Sequence, residues 1–360
     1  MNRYQAIREE QLRAGQEADR LLRSGAPFLL FGTTTYAVRI ARAAAVVGHS
    51  PVAFIDDRRA GERFENCPVI ALKDADPTLP VISGVVEGRP KTVHHLLHNA
   101  GFTRIWNYYH LNLVEPDAFP VPFWTNNMHD IDANGPRYDE LRAGLADEES
   151  RATLDSLLHF RYTNDYLSGG LRYHLHDQYW EPFVPMERIR SFVDGGCFDG
   201  QTALQFISRQ PAYTRVDVFE PFPESMANVQ RNLADRPNVH AHPFAILNER
   251  KTLRFTTDAG SANGLSEQGD IQVNTCSIDE ELVGVQVDYL KLDIEGAEPE
   301  AVDGAARLIS EQRPVMAICV YHDQSHFWRI PEKVLALRSD YQVYLRHYSE
   351  GVYETVMYFI

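Results

Sequence analysis

Stretches of apolar residues alternate with helical patterns over most of the chain. An amphipathic pattern covers residues 3–24, and two apolar runs at 27–32 and 52–57 enclose a helical stretch that opens with threonines. Short apolar runs with a helix between them predict parallel strands joined by a right-handed crossover. We therefore predict that residues 1–111 form a small Rossmann-like domain.

The pattern changes at residues 112–137, which hold several prolines and show little periodicity. Aperiodic segments with prolines are typical of connections, so we predict a linker there. Helical patterns resume at residue 138, and a second series of strands and helices begins at Ser191 and continues to the last residue. Residues 138–360 are predicted to be a second domain with a helical lead-in.

The second series has a distinctive end. The segments 341–349 and 353–360 are aromatic-rich strands joined by a short turn that contains Glu350 and Gly351. Consecutive strands with so short a connection form an antiparallel hairpin. The predicted fold class is α/β: a doubly wound, mostly parallel sheet that ends in an antiparallel hairpin, preceded by a smaller Rossmann-like domain.

Charge and composition exclude several classes of partner. The net charge is −15 and the sequence holds no run of basic residues, so nucleic acid is not an expected partner. No apolar run reaches the ~20 residues that a membrane span requires, and the first residues lack the pattern of a signal peptide. The four cysteines lie far apart without a Cys-x-x-Cys pair, which argues against structural zinc and predicts a cytoplasmic location.

A glycine-rich turn at the start of the second series carries the first chemical signal. The stretch FVDGGCFDGQT, residues 192–202, reads as a strand, a tight turn and a helix start. Its glycines allow close backbone approach, and the helix start offers free N–H groups. A pyrophosphate would be repelled by Asp194 and Asp199, whereas S-adenosylmethionine carries an ammonium and a sulfonium that carboxylates complement. The alternative is a glycine turn that only packs a strand against a helix. The predicted cofactor-binding residues here are Asp194, Gly195, Gly196, Asp199, Gly200 and Thr202.

Acidic residues follow two further strands. Glu220 ends the strand after the glycine turn, where an acid accepts hydrogen bonds from the ribose hydroxyls of an adenosine group. The alternative is a solvated carboxylate at the end of the strand. In LKLDIEGAE, Asp293, Glu295 and Glu298 crowd the end of another strand. Three carboxylates so close are expected to raise the pKa of at least one of them unless a cation is present, either a metal ion or the positive centre of the cofactor. The alternative is that they only cap the next helix. We assign Asp293 to the cofactor pocket and assign no metal ligand.

Histidines near the last strands are candidates for acceptor chemistry. His322 ends the strand VMAICVYH and is the first choice for a general base, with Asp293 or Glu295 second; the alternative is a buried structural histidine. Arg346 and His347 lie on the first strand of the hairpin. Together with His322, they are predicted to line the acceptor pocket. The alternative for Arg346 and His347 is that they only solvate the edge of the sheet.

These motifs together resemble the FkbM-type methyltransferase family over about residues 150–360. The matching pieces are QYWEPF, FVDGGCFDGQT, VFEPFPESMANVQRNL, DYLKLDIEGAEPEAVDGA, VYH and YLRHYSEGVYETVMYFI. The resemblance implies a Rossmann-like methyltransferase fold, S-adenosylmethionine as cofactor, and methylation of oxygen on sugars or polyketide-type products. It also implies that Asp194, Gly196, Glu220 and Asp293 belong to the cofactor pocket.

The N-terminal domain is similar in layout to small nucleotide-sugar-binding domains. Its second strand ends in FIDD with Asp56 and Asp57, as in those domains, but the first turn, FGTTTYA, has Gly32 alone where such a motif has three glycines. A nucleotide-sugar is therefore one expected partner of this domain. A structural role, including formation of a homodimer, is the other.

The sequence as a whole predicts an S-adenosylmethionine-dependent O-methyltransferase that acts on a sugar, glycoconjugate or natural-product hydroxyl. Its expected partner is a small-molecule or glycan acceptor. One alternative is a non-catalytic scaffold that keeps the methyltransferase fold. The other is an NAD-dependent sugar dehydrogenase, which would need phosphate-binding glycine turns that neither strand–helix series supplies.

Overall fold

A computed structural model describes residues 4–124, 126–255 and 271–360. The chain divides into two compact units. The first unit comprises Met1–Asp132, Ala152–Leu175 and His347–Tyr353, and the second comprises Ala133–Arg151, His176–Arg346 and Glu354–Ile360.

Most elements of the first half of the chain belong to the first unit. In chain order, the elements of this half are α1 (Gln5–Ser24), β1 (Leu29–Phe31), α2 (Thr35–Val46), β2 (Ala53–Ile55), β3 (Arg63–Phe64), β4 (Cys67–Ile70), β5 (Val81–Ser83), α3 (Pro90–Asn99), β6 (Ile105–Asn107), α4 (Tyr108–Val114), α5 (Asn127–Ala133), α6 (Gly135–Gly144) and α7 (Glu148–Thr163). Of these, α6 and the beginning of α7 belong to the second unit. The strands form one sheet in the order β3-β4-β2-β1-β5-β6, in which only β3 pairs antiparallel among the described residues.

Local sequence explains where the first elements begin and end. Gly25 ends α1 in the left-handed conformation with φ of 74°, and the Thr34 side chain accepts a hydrogen bond from the backbone of Ala37 at the start of α2. Gly15 of α1 lies against the backbone of His110 in α4, where a Cβ atom would approach the carbonyl oxygen to 2.3 Å. A glycine is therefore required for the close packing of these two helices.

The segment predicted as a linker, residues 112–137, contains regular structure. The end of α4 and all of α5 lie in it, and Phe119 within it is buried against Tyr108. The predicted domain limits, 1–111, 112–137 and 138–360, stay a prediction.

The second unit contains the longer series of strands and helices. Its further elements are β7 (Ser191–Gly195), α8 (Gln201–Arg209), β8 (Arg215–Phe219), α9 (Pro223–Asn232), β9 (Val239–His242), β10 (Ala245–Ile246), β11 (Thr252–Phe255), β12 (Ile271–Cys276), α10 (Ile278–Glu281), β13 (Tyr289–Leu292), α11 (Glu298–Gly304), α12 (Ala306–Gln312), β14 (Val315–Cys319), α13 (His326–Leu337), β15 (Val343–His347) and β16 (Thr355–Phe359). The residues of β7, β13, β14 and β16 are almost all buried, as expected of central strands.

Seven strands of this unit form a sheet in the order β15-β16-β14-β13-β7-β8-β9. The pairs from β14 through β13, β7 and β8 to β9 are parallel, whereas β16 runs antiparallel to β14. The predicted class, a doubly wound α/β sheet that ends in an antiparallel hairpin, is confirmed. Because the parallel strands point the same way, the residues that follow β7, β8, β13 and β14 emerge at one edge of the sheet.

The segment 238–246 contributes to two sheets. It divides into β9, which joins the seven-stranded sheet, and β10, which joins a separate three-stranded sheet with β12 and β11. Pro243 lies between them, and proline has no N–H group to continue the ladder. None of the helices among the described residues is long and apolar enough to cross a membrane.

Candidate functional site

The glycine turn after β7, residues 195–200 and called here the β7 turn, packs directly against the end of β13. Gly196 has a φ of 72°, and a Cβ atom on it would lie 1.9 Å from the backbone oxygen of Asp293. Gly195 is similarly enclosed, since its Cβ atom would meet the side chains of Ile246 and Leu292 within 3 Å. Both glycines are therefore required by the close approach of the two strand ends.

Asp194 at the end of β7 has a partner within the protein. Its side chain is fully buried, and Lys291 of β13 places Nζ 2.9 Å from Oδ1. The same ammonium donates to the backbone oxygens of Gly195 and Gly196 at 3.1 and 2.8 Å. Burial by itself lowers the pKa of Lys291, but Asp194 and Asp293 outweigh it and raise this pKa, so the lysine is charged. Asp194 thus stabilises the β7 turn from within the sheet.

Glu220 follows β8 and lies beside the β7 turn. Its carboxylate accepts the backbone N–H of Phe198 at 3.1 Å through Oε2 and that of Phe222 at 2.9 Å through Oε1. Burial raises the pKa of Glu220, while these hydrogen bonds oppose the shift. The residue is 5% exposed. A carboxylate held in this way has a fixed position and retains lone pairs for further donors.

The end of β13 and the end of β14 bring together a group that we call the acid cluster, consisting of Asp293, Glu295, Glu298 and His322. Nδ1 of His322 lies 2.9 Å from Oε1 of Glu298. Nε2 of His322 lies 3.5 Å from Oδ1 of Asp293 and 3.6 Å from Oε2 of Glu295. The side chains of His322 and Glu298 are fully buried, that of Asp293 is 22% exposed, and that of Glu295 is 50% exposed.

These distances couple the charges within the acid cluster. Burial by itself lowers the pKa of His322, but the three carboxylates outweigh it and raise this pKa to about 9. Burial by itself raises the pKa of Glu298, but His322 and His326 lower it to about 2. Partial burial, with the carboxylates of Asp293 and Glu298, raises the pKa of Glu295 to about 7. The surrounding carboxylates therefore favour the protonated form of His322.

Several residues around the site adopt the left-handed backbone conformation although they are not glycines. Their φ angles are 69° at Tyr179, 51° at Phe198, 58° at Glu295 and 72° at Glu354. Such conformations cost of order 1–3 kcal/mol each and concentrate at functional sites. Other non-glycine residues with positive φ, such as Asn66 and Arg313, lie away from the site, so these angles do not by themselves mark it.

The other predicted residues have separate places. Asp199 accepts the backbone N–H of Gln201 at 3.1 Å, and Thr202 lies in the first turn of α8. Arg346 is buried and donates to Asp147 at 2.6 Å and to Ser150 at 2.8 Å, so its charge is already paired.

His347 belongs to the first unit, where it is buried and where that burial lowers its pKa to about 3. The predicted roles of Arg346 and His347 in acceptor binding stay predictions.

Three residues of the site were not predicted. Lys291 pairs with Asp194, Tyr179 donates to Asp293 at 3.2 Å, and Glu354 accepts from Gln178 at 2.6 Å. Burial and the nearby Asp293 raise the pKa of Glu354 to about 7. Lys291 lies within an otherwise apolar strand, and this pattern could have indicated a buried ion pair. Charged side chains are rarely buried without a partner of opposite charge. Tyr179 and Glu354 give no such signal, since they meet Asp293 only through the folding of distant segments.

Comparisons with known proteins locate a family within this unit. Residues 196–347 match the family described as Methyltransferase FkbM domain. This range includes Glu220, the acid cluster and most of the seven-stranded sheet. No protein in the comparison with curated sequences matches the chain significantly.

Solved structures with a similar fold include a methyltransferase FkbM from Methylobacillus flagellatus. It aligns with a TM-score of 0.69 and 21% identity and covers 99% of this chain and 100% of that one. Fibrillarin from Aeropyrum pernix, in complex with S-adenosylmethionine, has a TM-score of 0.32 and 16% identity over 48% of this chain and 66% of its own. A methyltransferase from Podospora anserina bound to S-adenosylhomocysteine has a TM-score of 0.32 and 12% identity, and the alignment covers 63% of this chain and 87% of that one.

Of these three likenesses, the first shows the fold over the full length of both chains. The family match independently covers the part of the second unit in which the site residues after β7 are found. Residues 196–347 therefore match the FkbM methyltransferase domain, and the resemblance predicted from the sequence is confirmed over that range.

Proposed function

We propose that the protein is an S-adenosylmethionine-dependent O-methyltransferase whose acceptor is a hydroxyl of a sugar, glycoconjugate or natural product. The observation that carries this proposal is the position of Glu220 against the β7 turn, with the Phe198 N–H of the turn donating to its carboxylate at 3.1 Å. A fixed carboxylate beside a glycine turn, at the ends of adjacent parallel strands, suits an adenosine group with two ribose hydroxyls.

The charges of the site support S-adenosylmethionine over a dinucleotide. Asp199 lies in the β7 turn and Glu220 lies beside it. The ammonium of Lys291 is held by Asp194 and by backbone oxygens. A pyrophosphate would meet carboxylates there, with the nearby cation already paired. A cofactor with an ammonium and a sulfonium is complemented by the same groups.

Each residue has a proposed task in this function. When bound, S-adenosylmethionine supplies a methyl group on a sulfonium, which is already activated for transfer. Glu220 holds the ribose hydroxyls, and the glycines let the β7 turn pack against the end of β13 beside it. Because activation is intrinsic to the cofactor, we expect positioning of the acceptor to supply most of the catalysis.

The proton of the acceptor hydroxyl needs a base that the acceptor can contact. The predicted first choice, His322, has a side chain that is fully buried, whereas the side chain of Glu295 is 50% exposed at the rim of the same cluster. We therefore assign the base to Glu295, the second choice from the sequence, and assign His322 to the support of the carboxylates. Glu295 would accept the proton from the hydroxyl oxygen.

Replacing Glu220 with alanine tests the cofactor assignment. We expect binding of S-adenosylhomocysteine to weaken by about 1–3 kcal/mol, since charge-assisted hydrogen bonds to the ribose are lost. The change corresponds to an increase of roughly 5- to 150-fold in the dissociation constant, measured by isothermal titration calorimetry.

Glu224→Ala is the matched control, because Glu224 is an exposed carboxylate in the first turn of α9. Glu220→Gln is a second variant, and its amide oxygen can still accept one of the two backbone N–H groups that contact Glu220. A folded Glu220→Ala variant with the affinity of the wild type would refute the ribose assignment.

A further inference from the structure

The buried side of the acid cluster has features that methyl transfer does not use. Glu298 is completely buried, and its Oε2 atom has no hydrogen-bond donor among the described residues. Nδ1 of His326 lies 3.5 Å away and is likewise buried without a hydrogen bond there. An unsatisfied buried carboxylate oxygen is destabilising, so a ligand at this position would remove that cost.

We propose that Asp293, Glu298 and His322 bind a divalent first-row metal ion at the carboxyl end of β13, with His326 beside it. One ligand atom from each of the three residues can be chosen so that all three atoms lie within 4.8 Å of one another. An ion with bonds of about 2.0–2.2 Å spans ligand atoms up to ~4.4 Å apart, so a slight contraction closes the site. Carboxylate and imidazole together suit ions such as Mn²⁺ and Zn²⁺.

Contacts around these residues hold the ligand groups in place. Asp293 accepts hydrogen bonds from the hydroxyls of Tyr179 at 3.2 Å and Tyr321 at 3.0 Å. Glu298 accepts the backbone N–H of Ile294 at 2.9 Å through Oε1, which leaves Oε2 for the ion. Metal-binding carboxylates are commonly oriented by outer hydrogen bonds of this kind.

The local charge also favours a dication. Asp293, Glu295 and Glu298 surround one imidazole, and the nearest lysine of β13 is engaged by Asp194. A bound ion would balance this negative charge. It would also lie beside Glu295 and could polarise an acceptor oxygen, as Lewis-acidic ions do. That role rests on the proposed function, whereas the binding site itself does not.

The test is a titration of tag-free protein, first stripped with a chelator, with Mn²⁺ followed by electron paramagnetic resonance. We expect one equivalent of Mn²⁺ to lose its free-ion signal, and Zn²⁺ in excess to displace it. Asp293→Asn is nearly isosteric at a partly exposed residue and should weaken binding at least about 10-fold. Glu298→Gln should do the same, and the circular dichroism melt of each variant confirms folding. Glu300→Gln, on the same helix as Glu298, is the matched control and should bind as the wild type does.

Failure of the wild type to bind either ion would overturn the proposal, as would equal binding by folded Asp293→Asn and Glu298→Gln variants. A parallel titration with S-adenosylhomocysteine in the presence of chelator separates the two proposals. Cofactor binding without metal binding removes the metal site alone, and metal binding without cofactor binding removes the proposed function alone.

Discussion

Replacing Lys291 with methionine is expected to lower the free energy of unfolding of the second unit by about 3–5 kcal/mol. The substitution keeps the length and apolar stem of the side chain, so little packing is lost. It leaves the buried carboxylate of Asp194 without its cation, 2.9 Å from the former ammonium position. An uncompensated buried charge is among the costliest single defects in a folded protein. Hydrogen exchange of the β13 amides measures the effect within this unit.

Lys333→Met is the matched control for this experiment. Lys333 contacts Asp303 at 2.6 Å, but both side chains are substantially exposed, so its loss should cost less than about 1 kcal/mol. The double variant Lys291→Met/Asp194→Asn should be destabilised by less than the sum of the two single variants, because it removes both charges. A Lys291→Met protein within about 0.5 kcal/mol of the wild type would show that the pair is not important for the sheet.

Replacing Glu295 with glutamine is expected to lower turnover by a factor of about 10²–10⁴. The amide has nearly the same size and hydrogen-bonding reach but cannot accept the proton of an acceptor hydroxyl. Affinity for S-adenosylhomocysteine should stay unchanged, since the proposed ribose contact is made by Glu220. The measurement is transfer of a labelled methyl group to whichever member of a sugar and polyketide-alcohol panel the wild type methylates.

Glu300→Gln serves again as the control and should retain full turnover, because it belongs to α11 outside the acid cluster. Normal turnover by Glu295→Gln would move the base to another residue of the cluster. A loss of cofactor affinity equal to the loss of turnover would instead assign Glu295 to cofactor binding.

The sequence predicted the sheet of the second unit because its signals are local. The apolar runs that became β7, β8, β13 and β14 each end in an acidic or histidine residue, and parallel strands necessarily bring such ends to one edge. The short strands β11 and β12 were missed. These strands pair with each other and with β10 in a separate sheet. They therefore do not belong to the regular alternation of strands and helices from which the main sheet was predicted.

The roles within the site were harder to predict because they depend on which neighbour each charge meets. Asp194 was expected to face the cofactor, yet its nearest cation is Lys291 on the adjacent strand. His322 was expected to act as a base, yet Glu298 lies 2.9 Å from it in the interior. Neither pairing can be derived from spacing along the chain, since each joins residues from separate strands or helices. Glu220 lies beside the glycine turn, and its role in ribose binding stays a prediction.

Isothermal titration of the folded protein with S-adenosylhomocysteine, alongside NAD, tests the central claim most directly. The proposed function predicts saturable binding of one S-adenosylhomocysteine per chain and no binding of NAD. Absence of S-adenosylhomocysteine binding up to millimolar concentration would contradict it and favour a non-catalytic scaffold with the methyltransferase fold. Binding of NAD instead would contradict it in favour of a dehydrogenase.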